Sequence, residues 1–146
     1  MQLADAEATE AAGALLGGRI LSGDVVAISG PLGAGKTCFA RGLIRAMGFD
    51  GDVPSPTFGL VMPYAPPDVR VPLWHVDLYR LESLDEIREL GLDDARADTI
   101  LVIEWPERMG SLLWPDALRI DLRVEGDGRC LTATIPPSWD GRWPFK

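Results

Sequence analysis

The sequence predicts an α/β fold with a mixed, partly antiparallel central sheet, and three patterns carry that prediction. Residues 25–29 and 99–103 are short, uninterrupted apolar runs, which are typical of central parallel strands buried on both faces. Near the end of the chain, residues 118–125 and 131–135 alternate between apolar and polar side chains around a Gly-Asp-Gly turn. This alternation predicts an antiparallel hairpin with one solvent-facing side, so the sheet is not purely parallel.

Two amphipathic helices are predicted on either side of the first apolar run. Residues 5–16 place apolar side chains at four-residue spacing, with acidic side chains toward the N-terminal end, and this pattern predicts a first helix. After a glycine-rich segment, Phe39, Leu43 and Met47 also fall at four-residue steps. They predict a second helix, which Gly48 ends.

A loop, two strands and a third helix are predicted between the two apolar runs. Residues 49–57 are rich in Gly, Asp, Pro and Ser, so they form a loop. Residues 58–64 and 71–77 are predicted strands separated by a proline-containing turn. An S-x-x-E capping box that starts at Ser83 predicts a helix, and Gly91 ends it as a left-handed cap.

Composition and charge limit the class of protein. The chain has 14 Lys plus Arg against 22 Asp plus Glu, so its net charge is −8, and most of the acidic excess lies in residues 74–146. Tight, unaided binding to a nucleic acid is disfavoured because it requires clustered basic side chains. No apolar run approaches the length of about 18 residues needed to span a membrane, and no signal-peptide pattern is present, so we expect a soluble, cytoplasmic protein. The length predicts one domain over residues 1–146, with 136–146 as a C-terminal tail.

The cysteines and the single histidine do not form a metal-binding pattern. Cys38 and Cys130 lack the paired spacing of zinc ligands, and we predict that both are small buried residues. His75 lies in a predicted strand, where a packed or half-exposed side chain is favoured over a catalyst.

A phosphate-binding loop is the motif with the most chemical content. Residues 30–37 read GPLGAGKT and match G-x-x-x-x-G-K-[ST] between an apolar strand and an amphipathic helix. The glycines let successive backbone N–H groups converge on phosphate oxygens, and the helix dipole adds positive potential. Lys36 would lie across the β and γ phosphates, and the Thr37 hydroxyl would bind Mg²⁺. Apart from Lys146, Lys36 is the only lysine in the chain, which weakens the alternative of a merely solvated side chain.

Acidic residues end the strands predicted beside this loop. Glu104 is placed to hold Mg²⁺ or its waters, and a surface carboxylate is the alternative. Asp77 occupies the equivalent strand end, where an ordinary N-cap carboxylate is the competing interpretation. For Trp105 the pattern alone favours a core residue over a cover for a nucleotide base. Residues 82–98 hold seven acids and two arginines, and they form either a solvated helix face or a partner-docking surface.

Together these motifs resemble the TsaE family, the small P-loop ATPases of bacterial tRNA threonylcarbamoyladenosine synthesis. The resemblance covers roughly residues 8–135 and rests on the P-loop, SPTF at 55–58, HVDLYRL at 75–81 and EWPER at 104–108. It implies a P-loop NTPase-like, three-layer α/β/α fold with a mixed, partly antiparallel central sheet. Apart from the P-loop each motif is weak, but the ordered set is specific.

The resemblance also implies an activity and partners. Members of this family bind ATP or ADP with Mg²⁺, hydrolyse ATP slowly, and work with the proteins TsaD and TsaB. TsaD transfers the threonylcarbamoyl group to the tRNA, so this chain would meet tRNA only through the complex and would support repeated turnover. Two departures are mild: Pro31 replaces a usual acidic residue and removes one loop N–H, and Cys38 replaces a small polar residue.

Site residues follow by position from the resemblance. Thr57 resembles a switch threonine near the γ phosphate, Asp77 and Glu104 would arrange Mg²⁺ and its waters, and a weaker match places Thr9 beside the nucleotide. Arg80, Arg108 or a partner residue could supply an arginine finger. The predicted catalytic residues are Lys36, Asp77 and Glu104, and the predicted metal ligands are Thr37 and Glu104. The predicted nucleotide-binding residues are Thr9, Gly33, Ala34, Gly35, Lys36, Thr37, Cys38, Thr57 and Trp105.

A P-loop could also belong to a kinase, a GTPase or a nucleotide-dependent docking module. A small-molecule kinase would need an acceptor site and a lid, and no long Arg-rich lid segment follows the P-loop helix. A GTPase would read guanine through an N-K-x-D motif, which is excluded because no lysine lies between Lys36 and Lys146. A nucleotide-dependent docking module with incidental hydrolysis stays open.

Overall fold

The computed structural model describes residues 1–56 and 60–145, and within them it forms an α/β fold with a seven-stranded mixed sheet. The strands are β1 (Gln2–Leu3), β2 (Val25–Ser29), β3 (Val61–Tyr64), β4 (Leu73–Asp77), β5 (Ile100–Glu104), β6 (Leu118–Glu125) and β7 (Gly128–Thr134). The α-helices are α1 (Ala6–Gly17), α2 (Lys36–Ala46), α3 (Leu84–Arg88) and α4 (Leu92–Arg96). Two 3₁₀ segments cover Pro106–Leu112 and Pro137–Trp139.

The sheet combines a parallel centre with antiparallel edges. Its order is β1-β7-β6-β2-β5-β4-β3, and β6, β2, β5 and β4 are mutually parallel. The β6–β7, β1–β7 and β3–β4 pairs are antiparallel. The mixed sheet predicted from the two apolar runs and the alternating hairpin is therefore confirmed.

Helices cover both faces of the parallel centre and so complete three layers. The helices α1 and α2 pack on one face, where Leu16, Phe39 and Leu43 join the core that contains Val26 and Val102. On the opposite face, α3, α4 and the first 3₁₀ segment pack on side chains from β2, β4 and β5. Strand β6 buries Leu118, Ile120 and Leu122 in alternation, as the pattern predicts, but Val124, which the pattern places on the same side, is exposed near the hairpin turn.

Several element boundaries differ from the predicted ones. The strand predicted over 58–64 is described only as β3, since residues 57–59 lie outside the described part of the chain. The Ser83 cap is confirmed because its hydroxyl accepts a hydrogen bond from Glu86 N at 3.3 Å, but the helix ends at Arg88. Gly91 has the predicted left-handed φ of 72°, and it also begins the unpredicted helix α4.

The prediction that both cysteines are buried is wrong, because both are half-buried free thiols. Cys38 stands near the start of α2 and its Sγ donates to Ala6 O at 3.3 Å. Burial raises the pKa of this thiol, and the nearby Glu10 adds to that shift. Cys130 pairs with Arg123 across the hairpin, on the side that faces solvent.

The C-terminal tail packs against the hydrophobic core through Trp139. The Trp139 side chain is buried, and the guanidinium of Arg142 lies 4.2 Å from its ring centroid. Arg142 also donates to both Asp24 carboxylate oxygens, at 2.7 and 3.2 Å. None of the helices in residues 1–56 and 60–145 is long and apolar enough to span a lipid bilayer.

Candidate nucleotide-binding site

The glycine-rich loop connects β2 to α2 at the carboxyl end of the parallel strands. A Cβ on Gly30, whose φ is 146°, would come within 2.3 Å of Leu122 O, so only glycine fits where β6 runs beside the loop. Gly35 has a left-handed φ of 97° and begins α2 without any side-chain cap. The first N–H groups of α2 are therefore directed at the space beyond the loop, which is the geometry of an anion site.

A cavity of about 380 Å³ opens at this loop. It brings together predicted residues from three separate segments of the chain, and Ser55, Tyr79 and Leu32 complete the wall. The predicted residues that line it are Gly33, Gly35, Lys36, Thr37, Cys38, Asp77, Glu104 and Trp105. The geometry thus gathers most of the predicted site around one opening.

Lys36 is held inside this opening rather than extended into solvent. Its side chain is only 5% exposed, and Nζ donates to Gly30 O and Pro31 O at 2.8 Å each. The amine also lies 4.3 Å from the centroid of the Trp105 ring. Burial lowers the pKa of Lys36, and the negative charges of Glu104, Glu107 and Asp77 partly oppose that shift. A cation removed from water in this way interacts strongly with an incoming phosphate.

Thr37 and Glu104 both line the cavity and are hydrogen-bonded to each other. The Thr37 hydroxyl donates to the Glu104 carboxylate, with distances of 3.0 and 3.1 Å to its two oxygens. Mg²⁺ prefers such oxygen donors, and it usually completes its shell with waters and substrate phosphates. Within the described residues, no cluster of three His, Cys, Asp or Glu side chains could hold a metal alone. The pair therefore fits Mg²⁺ that arrives together with a phosphate chain.

Asp77 lies beside Glu104 because their strands run parallel. Strand register pairs Asp77 of β4 directly with Glu104 of β5, and both side chains are buried. One Asp77 oxygen accepts from Tyr79 N at 2.9 Å, which fixes the turn after β4. Two buried carboxylates thus stand at adjacent strand ends, as the sequence predicts.

His75 and Trp105 show where sequence reasoning was incomplete. His75 is packed in the sheet as predicted, but its Nε2 also lies 2.6 Å from Glu104 Oε2. Trp105 is only half-buried: it packs against the core of one sheet face, and its ring also lines the cavity, 4.8 Å from the Tyr79 ring, with a backbone φ of 61°. The signal for His75 was its two-residue spacing from Asp77, which puts both side chains on one face of a strand.

Arg129 is a further cation at the loop that the sequence did not reveal. Its Nη2 donates to Gly33 O at 2.9 Å from the start of β7. A second, smaller cavity of about 100 Å³ lies there, with Thr9, Gly35 and Cys38 in its wall. No local pattern could identify Arg129, because only the β2–β6 pairing brings the hairpin beside the loop.

The remaining predicted residues occupy different positions. Thr9 is buried behind the loop, where its hydroxyl donates to Asp5 O at 3.2 Å, and Ala34 is fully buried beneath it. Arg108 lies 5.9 Å from the centroid of the Tyr79 ring, next to the cavity wall. Thr57 lies outside the described residues, so its predicted role stays a prediction.

Comparisons with known proteins agree with this architecture. A family model described as "Threonylcarbamoyl adenosine biosynthesis protein TsaE" matches residues 3–131. The tRNA threonylcarbamoyladenosine biosynthesis protein TsaE of Treponema pallidum is 40% identical over 117 residues, covering 80% of this chain and 84% of that protein. The protein of the same name from Mycobacterium tuberculosis is 38% identical over 140 residues, covering 91% and 82%.

The fold comparison leads to the same family. The crystal structure of Bacillus subtilis YdiB matches with a TM-score of 0.78 and 26% identity, covering 97% of this chain and 88% of that one. The matched region includes the glycine-rich loop, both carboxylate strands and the Trp105 turn. The chain therefore belongs to the TsaE family, whose P-loop nucleotide-binding proteins take part in tRNA threonylcarbamoyladenosine biosynthesis.

Proposed function

We propose that this chain binds ATP with Mg²⁺ and hydrolyses it slowly, in support of tRNA threonylcarbamoyladenosine formation by TsaD and TsaB. The observation that carries the proposal is the contact between Thr37 and Glu104 at 3.0 Å, in the same cavity as the buried Lys36. A phosphate-binding loop and a pair of hard oxygen donors share one opening. That combination suits a nucleotide bound together with a divalent cation.

Phosphate binding would use the loop amides and Lys36. The uncapped N-terminus of α2 offers N–H donors and the positive end of the helix dipole. Lys36 now donates to Gly30 O and Pro31 O, so a phosphate would exchange those carbonyl acceptors for its own charged oxygens. Hydrogen bonds to an ionised acceptor are roughly twice as strong as neutral ones, which favours the exchange.

Hydrolysis would depend on placement and charge stabilisation. Mg²⁺, when bound, supplies neutralisation of charge across the β- and γ-phosphate oxygens. Thr37 and Glu104 would hold it, while Asp77 would help to orient the water that attacks the γ phosphorus in line. Lys36 and the loop amides would stabilise the charge that develops on the phosphate oxygens.

The distribution of charge supports protein partners over direct tRNA binding. The acidic side chains of α3, α4 and the segments around them are exposed, among them Asp85, Glu86, Asp93 and Asp94. Such a surface repels a nucleic-acid backbone but can attract a basic protein surface. A partner could also supply the arginine finger, unless Arg80 or Arg108 does so, and a finger from a partner would explain a slow basal rate.

The test is phosphate release from ATP, measured without any acceptor and with or without TsaB and TsaD. We expect slow release by the parent, stimulation by the partners, and no release by Lys36→Ala. Arg45→Ala, which changes an exposed side chain on the same helix, is the matched control. Lys36→Ala with parental turnover and an unchanged circular dichroism spectrum would refute hydrolysis at this loop. ADP formation that requires an added acceptor and leaves the phosphate on that acceptor would indicate a kinase.

A further inference from the structure

The Glu104 carboxylate is held from two sides by different elements. On one side, the Thr37 hydroxyl of α2 donates to it. On the other, His75 Nε2 of β4 lies 2.6 Å from Oε2. The His75 side chain is 0% exposed and that of Glu104 is 3% exposed, so water has little access to the contact between them.

Strand register explains why the imidazole reaches the carboxylate. The parallel β4–β5 ladder pairs Asp77 with Glu104, and it pairs His75 with Val102. Because side chains alternate along a strand, His75, Asp77 and Glu104 all lie on the face covered by α2. His75 stands two residues deeper than Asp77 and is not part of the cavity wall. It therefore contacts Glu104 from inside the sheet rather than from the nucleotide side.

The hydrogen-bonding of the ring shows what this histidine does. A Glu104 carboxylate that holds Mg²⁺ is ionised and only accepts hydrogen bonds, so in that state Nε2 carries the hydrogen and donates it to Glu104. The other nitrogen, Nδ1, is buried with no hydrogen-bond partner among the described residues. A buried unpartnered nitrogen is a cost that a leucine or valine at this core position would avoid. The bond to Glu104 is the one polar contact that offsets this cost in the described structure.

We propose that His75 is a positioning residue whose Nε2–H fixes the orientation of the Glu104 carboxylate for Mg²⁺. This rests on the proposed function, in which Thr37 and Glu104 hold the cation. Glutamate has one more rotatable side-chain bond than aspartate. The hydrogen bond from Thr37 alone would therefore leave the Glu104 carboxylate free to rotate, and a second contact is needed to restrict it. His75 itself touches neither nucleotide nor metal, and it acts only through Glu104, in the manner of outer-shell partners in metal sites.

The test is calorimetric titration of ADP with and without Mg²⁺, which gives the factor by which the cation strengthens binding. Four proteins are compared: the parent, His75→Gln, His75→Asn and His75→Leu. A glutamine carries its amide nitrogen about where histidine carries Nε2, whereas the amide of asparagine reaches only the Nδ1 position. We call the ratio of ADP affinities with and without the cation the Mg²⁺ factor. We expect His75→Asn and His75→Leu to reduce this factor about 10-fold or more, the usual effect of losing an outer-shell partner, and His75→Gln to retain most of it.

Two controls keep the outcomes separate. Metal-free ADP affinity should be the same in all four proteins, and their melting temperatures show whether each is folded. If the parent has a Mg²⁺ factor and folded His75→Asn keeps it in full, the positioning role is refuted while the proposed function stands. If His75→Asn and His75→Gln lose the Mg²⁺ factor equally, the shape of the histidine side chain matters rather than its Nε2–H, and the proposal is also overturned. A parent without any Mg²⁺ factor would refute the metal site of the proposed function itself.

Discussion

Replacing Gly42 by alanine tests how closely α1 must approach the P-loop helix. A Cβ at this position of α2 would lie 1.9 Å from Glu10 O and 2.8 Å from Glu10 C, both backbone atoms of α1. Ordinary contact begins near 3.4 Å, so the two helices must move apart by about 1.5 Å (3.4 minus 1.9). A backbone atom cannot turn aside as a flexible side chain can, so the whole helix pair must adjust.

The expected magnitude follows from two opposed terms. Overpacking a well-packed interface typically costs about 1–3 kcal/mol. This contact belongs at the upper end because a Cβ on Gly13 or Gly17 would also come close to the backbone of α2, at 2.0 and 2.4 Å. Alanine recovers about 1 kcal/mol through its higher helix propensity. The net loss of unfolding free energy is about 2 kcal/mol, which corresponds to a melting temperature lower by about 4–8 °C in a domain of this size.

Thermal and urea unfolding of Gly42→Ala measure this loss directly. The matched control is Gly18→Ala, because Gly18 has an ordinary φ of −74° and an added Cβ would stay 3.7 Å from its nearest neighbour. We expect the control to change the free energy of unfolding by less than about 0.5 kcal/mol. A Gly42→Ala protein that melts at or above the parental temperature would refute the close-packing argument.

Three further predictions concern the loop and its surroundings. Arg129→Ala removes the hydrogen bond to Gly33 O and should weaken ADP binding about ten-fold in calorimetry. The control Arg123→Ala changes an exposed arginine of the same hairpin and should leave the affinity unchanged. Equal affinities of the two variants would contradict a role for Arg129. Asp5→Ala removes the N-cap bond to Ala8 N and should lower the free energy of unfolding in urea by about 1 kcal/mol; parental stability would argue against the cap. Burial raises the pKa of the Cys38 thiol, so its alkylation, followed by peptide mass spectrometry, should keep accelerating above its ordinary pKa. Saturating nucleotide should slow Cys38 alkylation and leave the Cys130 rate unchanged, and equal protection of both would count against Cys38 in the cavity wall.

Local patterns predicted the elements that hold the site, because each is set by near neighbours. The apolar runs of β2 and β5, the Gly-rich loop and the Ser83 cap depend on residues a few positions apart. Asp77 and Glu104 were predicted together because parallel strands end at one edge of a sheet.

Features that depend on distant pairing could not be predicted in this way. Strand β1 is only two residues long and exists because Gln2 and Leu3 pair with β7 at the sheet edge. Arg129 reaches the loop only because β6 pairs with β2. The pattern predicts Trp105 as a core residue because an aromatic side chain directly after a buried strand is usually buried too. Its left-handed backbone conformation instead places the ring in the cavity wall.

The charges around the loop imply that Mg²⁺ reverses the effect of Glu104 on nucleotide binding. Lys36 is influenced by two buried carboxylates, Asp77 and Glu104, so two negative charges stand beside one buried amine before a phosphate chain arrives. Without Mg²⁺, Glu104 repels the phosphates; with Mg²⁺, it attracts the cation that bridges them. Glu104→Gln should therefore strengthen metal-free ADP binding about ten-fold, since nearby full charges interact by about 1–4 kcal/mol at intermediate dielectric, while it removes most of the gain from Mg²⁺. A purely structural glutamate would weaken binding equally in both conditions, and calorimetry with and without the cation distinguishes the two.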